Sequence, residues 1–343
     1  MSGRYRVGII GAGFGQHVHV PAFRADGRAS VDAICASTEA RAQVIATRLG
    51  IPRAFGDWRT LIADPQIDVV GISVPPSLQA EIAIAAAAAG KHIFAEKPLA
   101  SNAADAQKMA DAIRAARVVG VVDFEFREIV AWRRLRALLQ EEAIGRLRHV
   151  YFSWRVETLA NRDEKPSWKR EIDLGGGTLN LFGSHALDSI LWAFGSVHRL
   201  AARSWVAGRG SADARVEAWL ETVGGLPVTL SLAADATLGS GYRIEIYGDD
   251  GSLVLENRTS DYAAGFVLTF GRRGEPATAL ELEPLPAGVD GRIAATASVV
   301  RRFLDAVEKG LPVEPDFDDG LAVQRLMDAI READKSGLWE QLS

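Results

Sequence analysis

The chain has 343 residues, 48% hydrophobic and 24% charged, with a formal net charge of −5. That length suggests about two domains. The acidic balance speaks against a general nucleic-acid binder, and no apolar run reaches the ~18 residues that a membrane span requires.

Residues 1–6 lead directly into an apolar strand over 5–10, without the long apolar stretch of a signal peptide. The single cysteine, Cys35, sits in another apolar strand pattern and reads as a core thiol in a reducing cytoplasm. Next comes Gly11-Ala12-Gly13-Phe14-Gly15-Gln16, a glycine turn between a strand and a helix, the context of a dinucleotide-binding loop. Gly11 permits the tight turn, and Gly13 lets the backbone approach a pyrophosphate at the helix N-terminus. The third glycine is displaced: Gln16 stands at the usual position and Gly15 one residue earlier. Gly11, Gly13, Phe14 and Gly15 are the expected cofactor contacts here.

The second strand, over 31–36, ends at Ala36 and not at an acidic residue that would accept the ribose hydroxyls of NAD. Ser37, Thr38 and Arg41 follow and suit a 2′-phosphate, so NADP is the preferred cofactor and NAD the alternative. Ser37 and Thr38 also suit a plain helix cap. A short helix over 57–62 and a strand over 67–74 come next, broken by Pro75-Pro76. An alanine-rich helix then runs from 77 to 89 and stops at Gly90. The strand that follows ends in Glu96-Lys97-Pro98, which sets Lys97 outside the carboxyl end of a parallel sheet, where such sheets keep their ligand crevices. Ser101 is the expected N-cap of a helix to about residue 116, and a last strand over 118–122 closes a doubly wound α/β domain spanning 1–123.

Residues 124–343 have another rhythm. One amphipathic helix over 129–142 precedes long alternating strands over 148–157, 197–206, 215–223, 228–234 and 242–247, with turns such as Gly224-Gly225 and Asp249-Asp250-Gly251. The pattern predicts an α+β domain with a large, mostly antiparallel open sheet, finished by helices over 293–309 and 320–336. Between the strands, Gly175-Gly176-Gly177 opens a helix on which Leu181, His185, Asp188 and Trp192 share one face at α-helical spacing. A histidine with an aspartate three residues on suits proton transfer. The preceding loop carries Arg162, Asp163, Lys165 and Arg170 and is polar enough to recognise hydroxyls or a phosphate. Arg127 and Trp132 are further site candidates, with packing as their simpler role. No metal site is expected.

With these stretches together, the chain resembles the Gfo/Idh/MocA family of NAD(P)-dependent oxidoreductases. The likeness rests on Gly11-Ala12-Gly13, His19 and Pro21, Glu96-Lys97-Pro98, the glycine triplet with His185 and Asp188, and the ending Phe317-Asp318-Asp319-Gly320-Leu321 with Ser336-Gly337-Leu338-Trp339. The resemblance implies a Rossmann domain followed by an α/β domain, a nicotinamide cofactor, and Lys97 and His185 as the catalytic positions. It also implies a secondary hydroxyl or ketone of a sugar, cyclitol or related polyol as the reacting group. On that basis Pro75, Glu96 and Lys97 join the cofactor contacts, while Trp168, Lys169, Asn180, Leu181 and His185 are the expected substrate contacts. A homodimer or homotetramer is expected, with no nucleic-acid or membrane partner. One departure stands out: the family's usual aspartate four residues before the histidine is Leu181 here. It raises one alternative, a ligand-sensing regulator without chemistry; an oxidoreductase with a tightly held cofactor that cycles between two sugars is another. Gln79 also stands where a histidine is frequent.

Overall fold

The computed structural model describes residues 4–163, 167–208, 210–261, 263–285 and 290–342. The chain divides into two units, one made of Met1–Glu125 with Gly288–Gln324, the other of Phe126–Ala287 with Arg325–Ser343.

The first unit holds β1 (Tyr5–Ile10), β2 (Ala29–Cys35), β3 (Arg53–Phe55), β4 (Val69–Ile72), β5 (His92–Ala95) and β6 (Gly120–Val122). They form a sheet in the order β3-β2-β1-β4-β5-β6, parallel throughout. This is the Rossmann arrangement, with its topological switch between β1 and β4. The central strands are apolar on both faces, as expected of strands with helices on either side: Val7, Ile9, Val69, Val70, Ile72 and Phe94 are fully buried. The connecting helices are α1 (Val20–Arg24), α2 (Glu39–Leu49), α3 (Trp58–Ala63), α4 (Pro76–Ala88) and α5 (Ala103–Ala116). The cap of α5 is Asn102, whose side chain accepts from the Asp105 N–H at 2.9 Å, and not the expected Ser101.

The sequence division at 123 also omits a late segment. Residues 288–324 belong to the first unit, where Val299, Val300, Phe303 and Leu304 join Phe23 and Phe94 in its core. Their helix repeats apolar residues at i, i+1, i+4 and i+5, a stripe that any apolar face would accept, so local pattern could not assign it to either unit.

The second unit begins with α6 (Val130–Gln140), β7 (Leu147–Arg155), α7 (Leu159–Arg162) and α8 (Ser184–Phe194). Its later strands are β8 (Val197–Val206), β9 (Asp213–Thr222), β10 (Pro227–Ala233), β11 (Gly241–Gly248), β12 (Gly251–Asn257), β13 (Val267–Arg272), β14 (Thr278–Ala279) and β15 (Glu340–Gln341). Nine strands pair in the order β14-β13-β12-β11-β7-β10-β9-β8-β15. Only the β7–β10 pair is parallel. The sheet is thus the large, mostly antiparallel one expected, with β12 and β13 as additions the alternation had not singled out. Burial alternates along β7 and β9, so one face is core and the other carries Tyr151 and Trp219, about half exposed. After β14 the chain forms α9 (Gly291–Lys309), which belongs to the first unit, and then α10 (Phe317–Ser336). Among the described residues no helix is long and apolar enough to cross a membrane.

Candidate active site

The turn after β1 shows why each glycine stands where it does. Gly11 has φ +126°, and a Cβ there would fall 1.9 Å from the Ser73 carbonyl oxygen, so only glycine fits. The displaced third glycine is explained by an unusual first turn. Gly15–His19 is π-helical, and a Cβ on Gly15 would already touch Ile9 at 3.0 Å. Gly15 therefore supplies the close helix–strand approach in place of residue 16, and the wider turn absorbs the shift. A Cβ at Gly13 would meet nothing within 4 Å, so the backbone there faces open space. A dinucleotide pyrophosphate fits such a cradle at a helix N-terminus, with Gly11, Gly13, Phe14 and Gly15 around it. At the end of β2, Thr38 caps α2 by accepting from the Arg41 N–H at 3.2 Å. Ser37, Thr38 and Arg41 are all exposed. Pro75 caps α4 at the end of β4, on the same carboxyl side of the sheet.

Behind the Glu96-Lys97 turn lies a buried charge cluster that sequence reasoning did not assemble. His19 is fully buried, with Nε2 2.9 Å from Glu96 Oε1 and 3.6 Å from Asp123 Oδ2. Burial pulls the His19 pKa down, but the neighbouring Asp123 and Glu96 carboxylates outweigh it and raise it to about 9. The ring is accordingly an imidazolium at neutral pH. Asp123 also accepts the Thr296 hydroxyl at 3.0 Å. Burial pushes the Asp123 carboxyl up, and pushes that of buried Glu125 well up, with Asp123's charge adding to the latter. Glu96 uses its second oxygen to accept the Lys97 backbone N–H at 3.2 Å, and Gln79 donates to the Pro98 carbonyl at 2.7 Å. Lys97 itself is half-buried at the carboxyl end of β5. The three groups His19, Glu96 and Asp123 would offer a metal one nitrogen and two oxygens within 4.8 Å of one another. The 2.9 Å His19–Glu96 separation, however, is that of a direct hydrogen bond. The available signal was the run Asp123-Phe124-Glu125 directly after a parallel strand, where acidic residues have no structural reason to be buried.

In the second unit, His185 is buried on α8 and stacks on Phe126 at 4.4 Å between ring centroids, with Trp154 at 6.2 Å. Asp188, three residues on, carries a second partner. Arg127 holds the Asp188 carboxylate from Nη2 at 2.5 Å and from Nε at 3.1 Å, a buried ion pair. Arg127 is 5% exposed in this pair, and Trp132 lies fully buried beside Tyr242.

The helix leading to His185 also departs from the expected geometry. Leu179–Gly183 is π-helical, closed by the Ser184 N–H on the Leu179 carbonyl. The uniform α-helical face drawn through Leu181 and His185 therefore does not hold over this turn. Asn180 is buried, donating to the Gly176 carbonyl at 3.1 Å and accepting from Arg331 at 2.7 Å, so both ends of its amide are taken. Leu181 is half-buried and lines a cleft together with Thr158, Asn161, Lys169, Arg170 and Asp213. Trp168 is 41% exposed beside it in sequence, and Lys165 lies outside the described residues.

Two family models match the chain: "Oxidoreductase family, NAD-binding Rossmann fold" over residues 5–124, and "GFO/IDH/MocA C-terminal domain" over residues 132–254. The chain belongs to the Gfo/Idh/MocA family. An uncharacterized oxidoreductase of Synechocystis sp. is 30% identical over 351 residues, covering 97% of this chain and 95% of that protein. Levoglucosan dehydrogenase of Pseudarthrobacter phenanthrenivorans is 29% identical over 378 residues, covering 97% of each. Among solved structures, levoglucosan dehydrogenase in complex with NADH and levoglucosan superposes with a TM-score of 0.88 at 27% identity, covering 98% of this chain and 99% of that one. As a Gfo/Idh/MocA member, the protein is an oxidoreductase with a Rossmann domain for a nicotinamide cofactor.

Proposed function

We propose that this enzyme transfers hydride between NADP(H) and a secondary hydroxyl or ketone of a sugar or related polyol. The observation that carries the reading is Glu96-Lys97-Pro98 at the carboxyl edge of the parallel sheet, with Lys97 anchored through Glu96, in a chain similar over its length to a dehydrogenase of the sugar derivative levoglucosan. Gly11, Gly13, Phe14, Gly15, Pro75, Glu96 and Lys97 would hold the cofactor, which supplies the hydride acceptor or donor when bound. His185 takes the proton of the substrate hydroxyl. The Lys97 ammonium stabilises the alkoxide that develops. Trp168, Lys169 and Leu181 contact the substrate. Asn180 is not among these, because its amide is consumed at the helix start.

NADP remains the preferred cofactor because the end of β2 presents Ser37, Thr38 and Arg41 to solvent and no carboxylate at residue 36 or 37. The test is a panel of sugars and cyclitols assayed with NAD and NADP in parallel. Oxidation of at least one polyol is expected, with tighter binding of NADP. Arg41→Ala should weaken NADP by about tenfold while leaving NAD nearly unchanged, since one charge-assisted phosphate contact is lost. Tighter NAD binding would overturn the cofactor assignment.

The same reading makes the enzyme a cytoplasmic homodimer or homotetramer. Tyr151, Trp205 and Trp219 stand on the solvent face of the large sheet, 49%, 45% and 50% exposed, a spread of apolar surface suited to a second copy. Light scattering should return the mass of two or four chains; a monomer at micromolar concentration rejects it. Cys35 is buried, and burial raises its pKa to about 11, which makes it an inert thiol.

A further inference from the structure

The cleft of the second unit contains a positive charge that the described residues do not neutralise. Arg170 ends the short turn Trp168–Arg170 and is only 8% exposed. Its carbonyl accepts the N–H groups of Ser211 at 2.9 Å and Ala212 at 3.0 Å, which pins the turn to the approach of β9. Gly210 lets it in: a Cβ there would stand 3.0 Å from Arg170 Cβ and 3.3 Å from Nε. Nε is buried with no hydrogen-bond partner, and no carboxylate among the described residues pairs with the guanidinium. An arginine cannot discharge itself by losing its proton, so burying it unpaired is costly.

The surroundings say what would repay that cost. Arg170 lines the cleft with Asn161, Lys169, Thr178, Leu181 and Asp213. Asp213 does not serve as counter-ion. Its Oδ2 accepts the Leu179 N–H at 2.8 Å, and burial raises its pKa. Lys169 adds a second, exposed cation. Leu181 gives the same cleft an apolar wall.

We propose that Arg170, with Lys169 beside it, recognises an anionic oxyacid group, carboxylate or phosphate, on the substrate. The substrate is then a sugar acid or a sugar phosphate and not a neutral sugar. This rests on reading the protein as a polyol oxidoreductase. A planar guanidinium matches two oxygens of either group, and Asn161, whose Nδ2 gives one N–H to the Ala234 carbonyl at 2.9 Å, has a second to offer.

The test uses paired ligands: neutral hexoses and pentoses, each with its uronic acid, aldonic acid and phosphate ester. Each is added to the full-length enzyme with NAD or NADP, and both melting temperature and cofactor reduction are read. Wild type should be stabilised by acid members and not by their neutral partners, and kcat/KM should favour the acid by about tenfold or more, chiefly through KM. The carboxylate and phosphate arms distinguish the two sources of charge. Arg170→Met should melt no lower than wild type without ligand, because an unpaired charge has gone, and should lose the acid-specific shift. Arg170→Lys should keep part of it. Equal response to neutral and acid members, or an acid preference that survives in Arg170→Met, overturns the proposal. An acid-specific, Arg170-dependent shift without cofactor reduction by any member upholds the anion site and rejects the redox reading. Turnover of neutral sugars without acid preference does the reverse.

Discussion

Lys97→Met should lower kcat by about a thousandfold, far more than it weakens cofactor binding, to which Lys97 is one contact among several. Methionine keeps the length and most of the apolar stem of lysine, and the backbone at this residue is held independently of its side chain. The backbone N–H of Lys97 is held by Glu96 Oε2, and the following Pro98 carbonyl by Gln79. The turn therefore keeps its shape when the charge is removed. What disappears is the positive group that the proposed reaction needs beside the developing alkoxide, an interaction made mainly in the transition state. The loss should fall on kcat more than on KM. Stopped-flow titration with NADPH and steady-state kinetics on the best substrate of the panel check both halves. A variant within tenfold of wild-type kcat sinks the assignment of Lys97.

His19→Leu should destabilise the protein by about 3–5 kcal/mol, as expected when one partner of a buried charge cluster is removed. Leucine fills much of the space between Phe14 and Phe94, whose rings meet His19 edge-on at 5.8 and 5.1 Å, so cavity formation is a minor part. The larger part is that Glu96 and Asp123 lose their cation. The pH dependence separates this from simple loss of packing. His19 titrates at about 9 in the folded protein against an ordinary value near 6.5. A raised folded pKa gives stability that is complete below the ordinary value and disappears as the pH rises through 9. The raised carboxyls of Asp123 and Glu125 act in the same direction, beginning at lower pH. Wild type should thus lose stability from pH 7 to pH 10, and the gap between wild type and His19→Leu, measured by urea denaturation, should be widest near pH 6 and shrink by pH 10. A gap that is constant with pH would mean that packing accounts for the whole effect.

The parallel sheet, the glycine turn and the lysine at its edge were legible in the chain because each is a local pattern. Apolar strands with helices between them impose one topology, and a proline after a strand-end lysine marks the carboxyl edge whatever the rest of the molecule does. Family likeness was legible for the same reason, since its signatures are short runs at fixed spacing. The α-helical face through Leu181 and His185 was misread because a π-turn leaves no reliable trace in apolar periodicity. The displaced Gly15 was visible from the start, but its meaning required the same geometry at the first helix.

Partnership across sequence distance was beyond local pattern altogether. Asp188 reads as the orienter of His185 because they are three residues apart, but spacing gave no sign that its buried carboxylate also takes Arg127, which arrives from 61 residues earlier. The cluster of His19, Glu96 and Asp123 joins the helical turn after β1 to the ends of β5 and β6, which only the order of the parallel sheet makes neighbours. Arg170 read as one polar loop residue among several, and its burial in a lined cleft follows from residues 210–212, just ahead of β9, packing against it. The chain alone thus specified which residue types sit at which sheet edge, because backbone periodicity is local. Which charges end up paired, and which one is left for a ligand, depended on the folded arrangement, because burial energies are set by neighbours distant in sequence.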